Sequence, residues 1–395
     1  MKKILFVINS LTIGGSEKSL ISLLSLLDYK EYKVDLLMLK KGEELEKFIP
    51  NEVNILDVPD YYKYISKTES KYNFIKKSKF NITRLKTSFN LRINKIRKNS
   101  INSEQILYKS QHKVIKKLKS EYDVAIAYSQ GYPTYFIVDK VRAKKKIAWI
   151  NCDYVTTMYD KEYDYNYYKN IDKIIVVSNT IKDSIIKFRP EYKKKLQVIL
   201  DIINPDIIKE LAEEECELNK NKDEINILTV ARLVIHHKGY DLAAKSARLL
   251  KNNGYKFKWY VVGDGPDREK LNLLIKELQI EDCFILLGAK DNPYKYMKNC
   301  DIYVQASKKE GFGLTVVEAK ILEKPIVCTK FNTAKELINN GIDGQIVEMN
   351  EEAIYLGIRK YIDDEKMTKK IIKELKSNHY NSIEEIRKFN EIINA

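Results

Sequence analysis

The chain has 395 residues, of which 44% are hydrophobic, and it carries a formal net charge of +15. This length predicts two domains, each with a sizeable core, and the absence of repeats of solenoid length excludes a repeat architecture. Five cysteines, an odd number without a Cys-x-x-Cys pair, fit a reducing cytosol better than a disulfide framework. The apolar run at 4–8 breaks at Asn9 and Ser10 without a cleavage site. It therefore favours a buried first strand over a signal peptide, and we expect a cytoplasmic protein.

One segment carries the whole charge excess. Residues 61–120 contain 17 Lys and Arg but only two acidic residues, so their net charge of +15 equals that of the chain. Apolar and aromatic side chains are interleaved with these cations, which is typical of a basic amphipathic surface on an anionic membrane leaflet. The competing interpretations are a solvated basic insertion and a nucleic-acid patch, but no nucleic-acid-binding motif is visible. We expect peripheral contact with the inner face of the plasma membrane and no nucleic acid.

Twelve apolar segments of strand length recur along the chain, and helix-length segments separate most of them. They are residues 3–9, 34–39, 123–128, 146–150, 173–178, 197–200, 225–230, 257–263, 284–288, 302–306, 325–329 and 345–348. This alternation predicts parallel sheets with crossover helices. An acidic stretch at 205–224 divides the series in two. We therefore expect two doubly wound, Rossmann-like α/β domains facing each other across a cleft, at 1–205 and 206–379. A C-terminal helix at 380–395 is expected to pack back on the first domain.

The first motif follows the first strand. Gly14 and Gly15 open the first helix, so their backbone can approach a diphosphate closely. A plain turn after a strand explains these two residues equally well.

Two cations follow the strand at 225–230. Arg232 offers a planar fork and Lys238, six residues on, a point charge. Together they suit the two phosphates of a leaving nucleoside diphosphate. Isolated surface cations are, however, common in a Lys-rich chain.

A glycine-rich turn follows the strand at 257–263. Gly263-Asp264-Gly265-Pro266 begins like a dinucleotide-binding loop, but Arg268 stands where the third glycine belongs. We expect a structural turn here and no NAD.

The most informative stretch is 301–319, DIYVQASKKEGFGLTVVEA. A strand and a polar turn lead to Glu310, a loop with two glycines follows, and the next helix carries Glu318. Free N–H groups at a helix start, with the positive end of the helix dipole, can bind phosphate. The two carboxylates are placed to hold hydroxyls of a sugar and a ribose. In a chain with 55 acidic residues the pair alone means little, and its context gives it weight.

This stretch resembles the Glu-x7-Glu signature of the retaining glycosyltransferases of family 4, which adopt the GT-B fold. Gly-Gly-x-Glu at 14–17 and Arg-Leu…Lys-Gly at 232–239 are similar to two further segments of that family, although Ala231 stands where many members have glycine. The resemblance covers most of the chain, is strongest at 225–347 and vanishes in 61–120.

The resemblance implies roles for the residues of these motifs. Glu318 would hold the ribose and Glu310 the sugar hydroxyls. The diphosphate would be stabilised by Arg232, Lys238 and the amides of Gly311, Phe312, Gly313, Leu314 and Thr315.

The sequence contains no recognisable metal-binding motif. No Asp-x-Asp follows a strand, and metal-ligand spacing is absent among the histidines, which are His112, His236, His237 and His379. We expect no metal and no cofactor, the donor substrate being a UDP- or GDP-sugar.

Asn151 departs from the family. Members often have histidine in a Trp-Ile-His-x-Asp context, but residues 149–153 read WINCD, and asparagine cannot carry a proton or a positive charge. We expect a sugar or lipid-linked acceptor to enter near 151–154, in assembly of a bacterial surface polysaccharide such as capsule or lipopolysaccharide. The alternatives are a catalytically inactive GT-B scaffold, which Asn151 makes conceivable, and a GT-B enzyme of another reaction, such as a nucleotide-sugar epimerase or a glucan synthase.

Overall fold

The computed structural model describes residues 1–69, 71–97, 101–218, 223–377 and 381–395. Within them the chain forms the strands β1 (Lys2–Ile8), β2 (Tyr32–Met38), β3 (Asn54–Ile55), β4 (Glu121–Ala127), β5 (Arg142–Ile150), β6 (Lys173–Val176), β7 (Leu196–Val198), β8 (Ile225–Val230), β9 (Phe257–Val262), β10 (Phe284–Gly288), β11 (Ile302–Gln305), β12 (Ile326–Thr329) and β13 (Gln345–Val347). The predicted strands are all present. The prediction missed β3, because two residues are too few to form a pattern.

Helices connect these strands. They are α1 (Gly15–Ser25), α2 (Asp60–Ile65), α3 (Phe74–Ile96), α4 (Ser103–Gln111), α5 (Tyr132–Lys140), α6 (Lys161–Tyr168), α7 (Asn179–Phe188), α8 (Pro205–Ala212), α9 (Ile235–Lys238), α10 (Tyr240–Asn252), α11 (Arg268–Glu277), α12 (Tyr294–Asn299), α13 (Leu314–Ile321), α14 (Ala334–Leu337), α15 (Glu351–Asp363), α16 (Glu365–Ser377) and α17 (Ile383–Asn394). Three short 3₁₀ helices cover Glu44–Phe48, Tyr154–Thr156 and Pro190–Tyr192.

The chain divides into two compact units. The N-terminal unit comprises residues 1–203 together with 383–395, and the C-terminal unit comprises residues 204–382. The expected boundary between residues 379 and 380 lies outside the described residues, as does His379.

A seven-stranded parallel sheet forms the centre of the N-terminal unit, in the order β3-β2-β1-β4-β5-β6-β7. Its central strands are continuous apolar runs, and residues 4–8 of β1 are buried, as expected for strands covered on both faces. Because the chain order reverses beside β1, the carboxyl ends of β1 and β4 form a switch point where doubly wound sheets bind ligands.

The C-terminal helix α17 completes this unit. The Phe389 ring stacks on Phe6 of β1, with 6.2 Å between ring centroids, and Glu385 accepts a 2.8 Å hydrogen bond from the backbone N–H of Leu200.

The basic segment 61–120 contains most of α2 and all of α3 and α4, inserted between β3 and β4. Its residues 70 and 98–100 lie outside the described residues. Phe80 of α3 packs edge-on against Tyr61 of α2 at 5.3 Å, and Thr83 and Thr87 are buried on the same side of α3. Of the helices in the described ranges, none is both long and apolar enough to cross a bilayer.

The C-terminal unit contains a six-stranded parallel sheet in the order β10-β9-β8-β11-β12-β13. Trp259 of β9 lies at the centre of its core, fully buried among side chains from α10, α11 and α15. The chain order reverses between β8 and β11, so this unit also has a switch point. The prediction of doubly wound α/β units is confirmed.

Candidate active site

The switch point of the C-terminal sheet brings together the predicted site segments. β8 and β11 are neighbours in the sheet, with Ile302 paired to Ile227 and Tyr303 to Leu228. Arg232 follows β8 and Glu310 follows β11, so the loops that carry them leave the same edge of the sheet. Ligands of doubly wound sheets bind beyond this edge.

Lys238 and Glu310 form an ion pair at this edge. The Lys238 ammonium donates to both carboxylate oxygens of Glu310, at 2.8 Å to Oε1 and 2.7 Å to Oε2. The Glu310 side chain is only 9% exposed, and that of Lys238 is 23% exposed. An ammonium has three N–H donors, so a further group can still bind Lys238 while the pair is intact.

Two buried polar side chains fix the orientation of the Glu310 carboxylate. Gln305 Nε2 donates to Oε1 at 2.7 Å, and Ser307 Oγ donates to the same oxygen at 2.6 Å. The Gln305 amide is itself oriented, because its Oε1 accepts from Tyr303 and from Thr315. Oε2 therefore has fewer protein donors than Oε1. Gln305 and Ser307 were not predicted as site residues, although a glutamine at the end of an apolar strand was a usable signal.

The loop from Glu310 to Gly313 is anchored from the segment after β12. Asn332 exchanges two hydrogen bonds with the Glu310 backbone, at 3.2 and 2.9 Å, and the Thr333 hydroxyl donates to the Phe312 carbonyl at 2.7 Å. Gly313 is in the left-handed region (φ 108°), and a Cβ there would lie 2.7 Å from Leu337 Cδ1. The position therefore requires glycine.

Helix α13 begins directly after this loop, with Leu314 and Thr315 in its first turn and the half-buried Gly311 upstream. Glu318 lies in the second turn, 1% exposed, where its Oε1 accepts a 2.9 Å hydrogen bond from the Tyr294 hydroxyl of α12. Its proposed contact with a ribose remains a prediction.

The segment that carries Lys238 is held by close backbone contacts. Asp267 accepts from the backbone N–H of Ile235 at 3.0 Å and fixes the start of α9. Gly239 ends α9 in the left-handed region (φ 65°), and a Cβ there would lie 1.9 Å from the Ala306 carbonyl oxygen. This contact locks the end of α9 to the end of β11 and places Lys238 beside Glu310.

Arg232 lies in the loop between β8 and α9. It is exposed, and within the part of the chain that the structure describes its guanidinium forms no hydrogen bond or ion pair. The Gly263–Pro266 turn supports this loop, because Asp264 O accepts from Leu233 N, and a Cβ on Gly263 would lie 2.0 Å from Ala231 O. These contacts support a structural role for the turn.

The remaining predicted residues lie in the N-terminal unit. Gly14 precedes α1 and Gly15 is its first residue, and the Glu17 carboxyl folds over Gly14. Burial raises the pKa of this carboxyl.

Asn151 follows β5 and binds backbone at the sheet edge. Its Nδ2 donates to the Tyr128 carbonyl at 2.8 Å, and its backbone N–H donates to Gln130 Oε1 at 3.1 Å. Burial raises the pKa of the neighbouring Cys152 thiol to about 12, so this thiol is neutral at physiological pH. Among the described residues, no group of three or more His, Cys, Asp or Glu side chains is placed to hold a metal ion.

Several known proteins are similar to this chain. Residues 212–378 match the family model described as glycosyl transferases group 1. A Campylobacter jejuni relative, N-acetylgalactosamine-N,N'-diacetylbacillosaminyl-diphospho-undecaprenol 4-alpha-N-acetylgalactosaminyltransferase, is 31% identical over 51% of this chain and 54% of its own length. A second, GalNAc-alpha-(1->4)-GalNAc-alpha-(1->3)-diNAcBac-PP-undecaprenol alpha-1,4-N-acetyl-D-galactosaminyltransferase of the same organism, is 23% identical over 95% of this chain and 93% of its own.

The chain spans only 42% to 54% of the length of the first four curated relatives that it matches. Among solved structures, Anabaena Alr3699/HepE in complex with UDP and glucose superposes with a TM-score of 0.71 over 100% of both chains at 16% identity, which is evidence for the fold. The chain therefore has the GT-B fold, and its residues 212–378 are similar to the group 1 glycosyl transferases.

Proposed function

We propose that the protein is a retaining, metal-independent glycosyltransferase that moves a sugar from a nucleoside-diphosphate sugar to a lipid-linked acceptor in cell-surface polysaccharide biosynthesis. The observation that carries this proposal is the Lys238–Glu310 pair at the switch point, oriented by Gln305 and Ser307. A carboxylate and an ammonium held together in one place suit a substrate that offers hydroxyls beside a diphosphate.

The leaving diphosphate gains negative charge as the bond to the sugar breaks. Lys238 retains one N–H donor for this diphosphate, and the planar guanidinium of the exposed Arg232 can donate two parallel hydrogen bonds to it. The N-terminus of α13, opened by Gly313, adds free N–H groups and the positive end of a dipole. In this proposal Glu310 binds sugar hydroxyls, and the two cations perform the charge stabilisation that a metal supplies in other enzymes.

A lipid-linked acceptor is supported by the relatives and by α3. The names of both Campylobacter relatives contain an undecaprenol-linked saccharide. At 100° per residue, the exposed apolar side chains of α3 fall within a sector about 100° wide, opposite the buried face. These side chains are Phe74, Ile75, Ile82, Leu85, Phe89 and Ile96. Lys79 and Lys86 flank this sector on one side, and Arg92 lies at its other edge.

We propose that this face of α3 lies on an anionic membrane leaflet, which would make the protein a peripheral membrane protein facing the cytoplasm. Leu85 is 72% and Phe89 64% exposed. Each cation near such a leaflet contributes about 1 kcal/mol.

The donor reaction is tested by release of UDP or GDP from a panel of nucleotide sugars, with a lipid extract as acceptor. We expect one donor to be consumed with the anomeric configuration retained, with or without EDTA. Lys238→Ala should lower turnover at least tenfold, whereas Lys366→Ala on α16 should leave it unchanged. No release from any donor would refute the enzyme proposal and leave a binding scaffold, and inhibition by EDTA would refute metal independence.

The membrane contact is tested by liposome flotation. The variant Leu85→Ser/Phe89→Ser should bind vesicles containing phosphatidylglycerol at least fivefold less than the wild type. Leu273→Ser in the C-terminal unit removes an equally exposed side chain (70%) and should have no effect. Binding that is independent of lipid charge would contradict the proposal.

A further inference from the structure

A cavity of about 840 Å³ lies in the N-terminal unit at the carboxyl edge of its sheet. Asn9 and Ser10, which follow β1, and Leu39, which follows β2, lie on one side of it. Tyr62 and Ile65 of α2 lie on another. The basic insertion therefore borders an open cavity beside the switch point, and the volume of this cavity is within the range of small-molecule binding sites.

Three acidic residues line this cavity. Asp57 and Glu69 pair with Lys63, whereas Glu104, in the first turn of α4, is held by hydrogen bonds. Its Oε1 accepts from Asn9 Nδ2 at 3.2 Å and its Oε2 from the backbone N–H of Tyr132 at 3.0 Å. Gly131 is in the left-handed region (φ 80°), and a Cβ there would lie 2.1 Å from Oε2, so the chain is shaped to admit the carboxyl. The Tyr159 hydroxyl is a third donor to this carboxyl, so the four lone pairs of its two oxygens leave room for one more.

Among the described residues, no cation pairs with the Glu104 carboxyl, and burial raises its pKa. A carboxyl that costs stability in a mainly apolar enclosure, and that keeps unused acceptor capacity, is typical of a binding site.

The other lining groups define the ligand chemistry. Tyr62 and Tyr132 border the cavity, with their rings edge to face at 6.2 Å, and Leu39, Val58 and Leu107 make its lining mainly apolar. Lys41, which follows β2, and Lys63 of α2 also line it. Lys63 is paired with Asp57, whereas Lys41 is exposed and forms no ion pair with a described residue. An apolar lining beside a carboxylate suits a sugar, whose C–H faces are apolar and whose hydroxyls donate. The lysine suits a phosphate attached to that sugar.

We infer that this cavity binds the sugar ring of a glycosyl diphosphate, with Glu104 accepting a hydrogen bond from one of its hydroxyls and Lys41 contacting its diphosphate. Only the identification of this ligand as the acceptor rests on the proposed function. The acceptor sugar would then lie over the ends of β1 and β2, and not near Asn151, beyond β5, where the sequence led us to expect acceptor entry.

Binding of farnesyl-diphospho-N-acetylgalactosamine, measured calorimetrically without any donor, tests the inference. Farnesyl diphosphate serves as the probe that lacks the sugar, and we expect it to bind at least tenfold more weakly. Ile65→Trp, which fills the cavity from a partly exposed position, and Glu104→Gln should each weaken binding of the sugar probe at least tenfold. Lys41→Ala should weaken both probes. Lys33→Ala is the control, because Lys33 is close to Lys41 in the sequence but lies within β2. It should change the binding of neither probe.

Several results would overturn the inference. They are no measurable binding to the wild type, equal binding of both probes, and full binding by Ile65→Trp. UDP binding, followed by its effect on Tm in the same preparations, is expected to be unchanged in every variant. UDP-sugar turnover that is lost while the probe still binds would count against the proposed function alone, and the reverse would count against the cavity alone.

Discussion

The Lys238–Glu310 pair can be divided into a structural and a functional contribution by a double-mutant cycle. Lys238→Met removes the cation and leaves the Glu310 carboxylate, 9% exposed, with Gln305 and Ser307 as its donors. Breaking a fully buried pair in this way costs about 3–5 kcal/mol, and breaking an exposed pair about 0–1 kcal/mol. Lys238 is 23% exposed, so the pair lies between these limits. We expect the C-terminal unit to lose about 2 kcal/mol of unfolding free energy.

The second variant and the double variant complete the cycle. Glu310→Gln leaves a neutral side chain that can still accept from Gln305 and Ser307, and the ammonium of Lys238 can still reach water. We expect a loss of about 1 kcal/mol. In Lys238→Met/Glu310→Gln neither charge remains unpaired, so the double variant should be more stable than the sum of the single losses predicts, by about 1–2 kcal/mol.

The two tryptophans provide a reporter for each unit. Trp149 lies in β5 and Trp259 in β9, and both are fully buried. In a Trp149→Phe background, Trp259 fluorescence during urea unfolding reports the C-terminal unit alone. Donor turnover is measured on the same proteins, and all three variants should lose it at least tenfold.

Two outcomes would contradict this reasoning. A loss below about 0.5 kcal/mol in Lys238→Met would show that solvent screens the pair as if it were on the surface. A double variant that regains turnover together with stability would show that the pair has only a structural role.

Two further predictions concern the backbone and pH. Gly239→Ala should lower Tm far more than Gly254→Ala. Both glycines have positive φ (65° and 77°), but only Gly239 has a close neighbour, the Ala306 carbonyl oxygen. Similar Tm values for the two variants would show that α9 moves away freely. Burial raises the pKa of Asp164, which accepts from the Tyr154 hydroxyl at 2.7 Å, above the value of about 3.9 in the unfolded chain. The folded state therefore binds this proton more tightly, and the stability of the N-terminal unit should fall as pH rises from about 4 through the raised pKa. Asp164→Asn should flatten this dependence in urea unfolding followed by Trp149 fluorescence, and an unchanged slope would refute the assignment.

The sequence predicts the sheets well because parallel strands are buried on both faces, so each strand has a continuous run of apolar residues. It also places Arg232, Lys238 and Glu310 at strand ends. It does not predict that Lys238 and Glu310 pair, because that contact depends on the close approach of Gly239 to Ala306 across two loops. The sequence also does not predict that residues 332 and 333 anchor the Glu310 loop, since those residues come from the segment after the next strand.

The contacts of Asn151 bear on the functions that we propose for the two units. Its side-chain Nδ2 donates a hydrogen bond to the Tyr128 carbonyl, and its buried Oδ1 has no hydrogen-bond partner among the described residues. This amide therefore stabilises the sheet edge and cannot transfer a proton. The network around Glu310 lies wholly within the C-terminal unit and requires no group from Asn151 to hold its charges. An asparagine at this position is thus compatible with the proposed reaction, in which the C-terminal unit stabilises the charge of the leaving group. It is also compatible with the inferred role of Glu104 and its cavity in binding the acceptor.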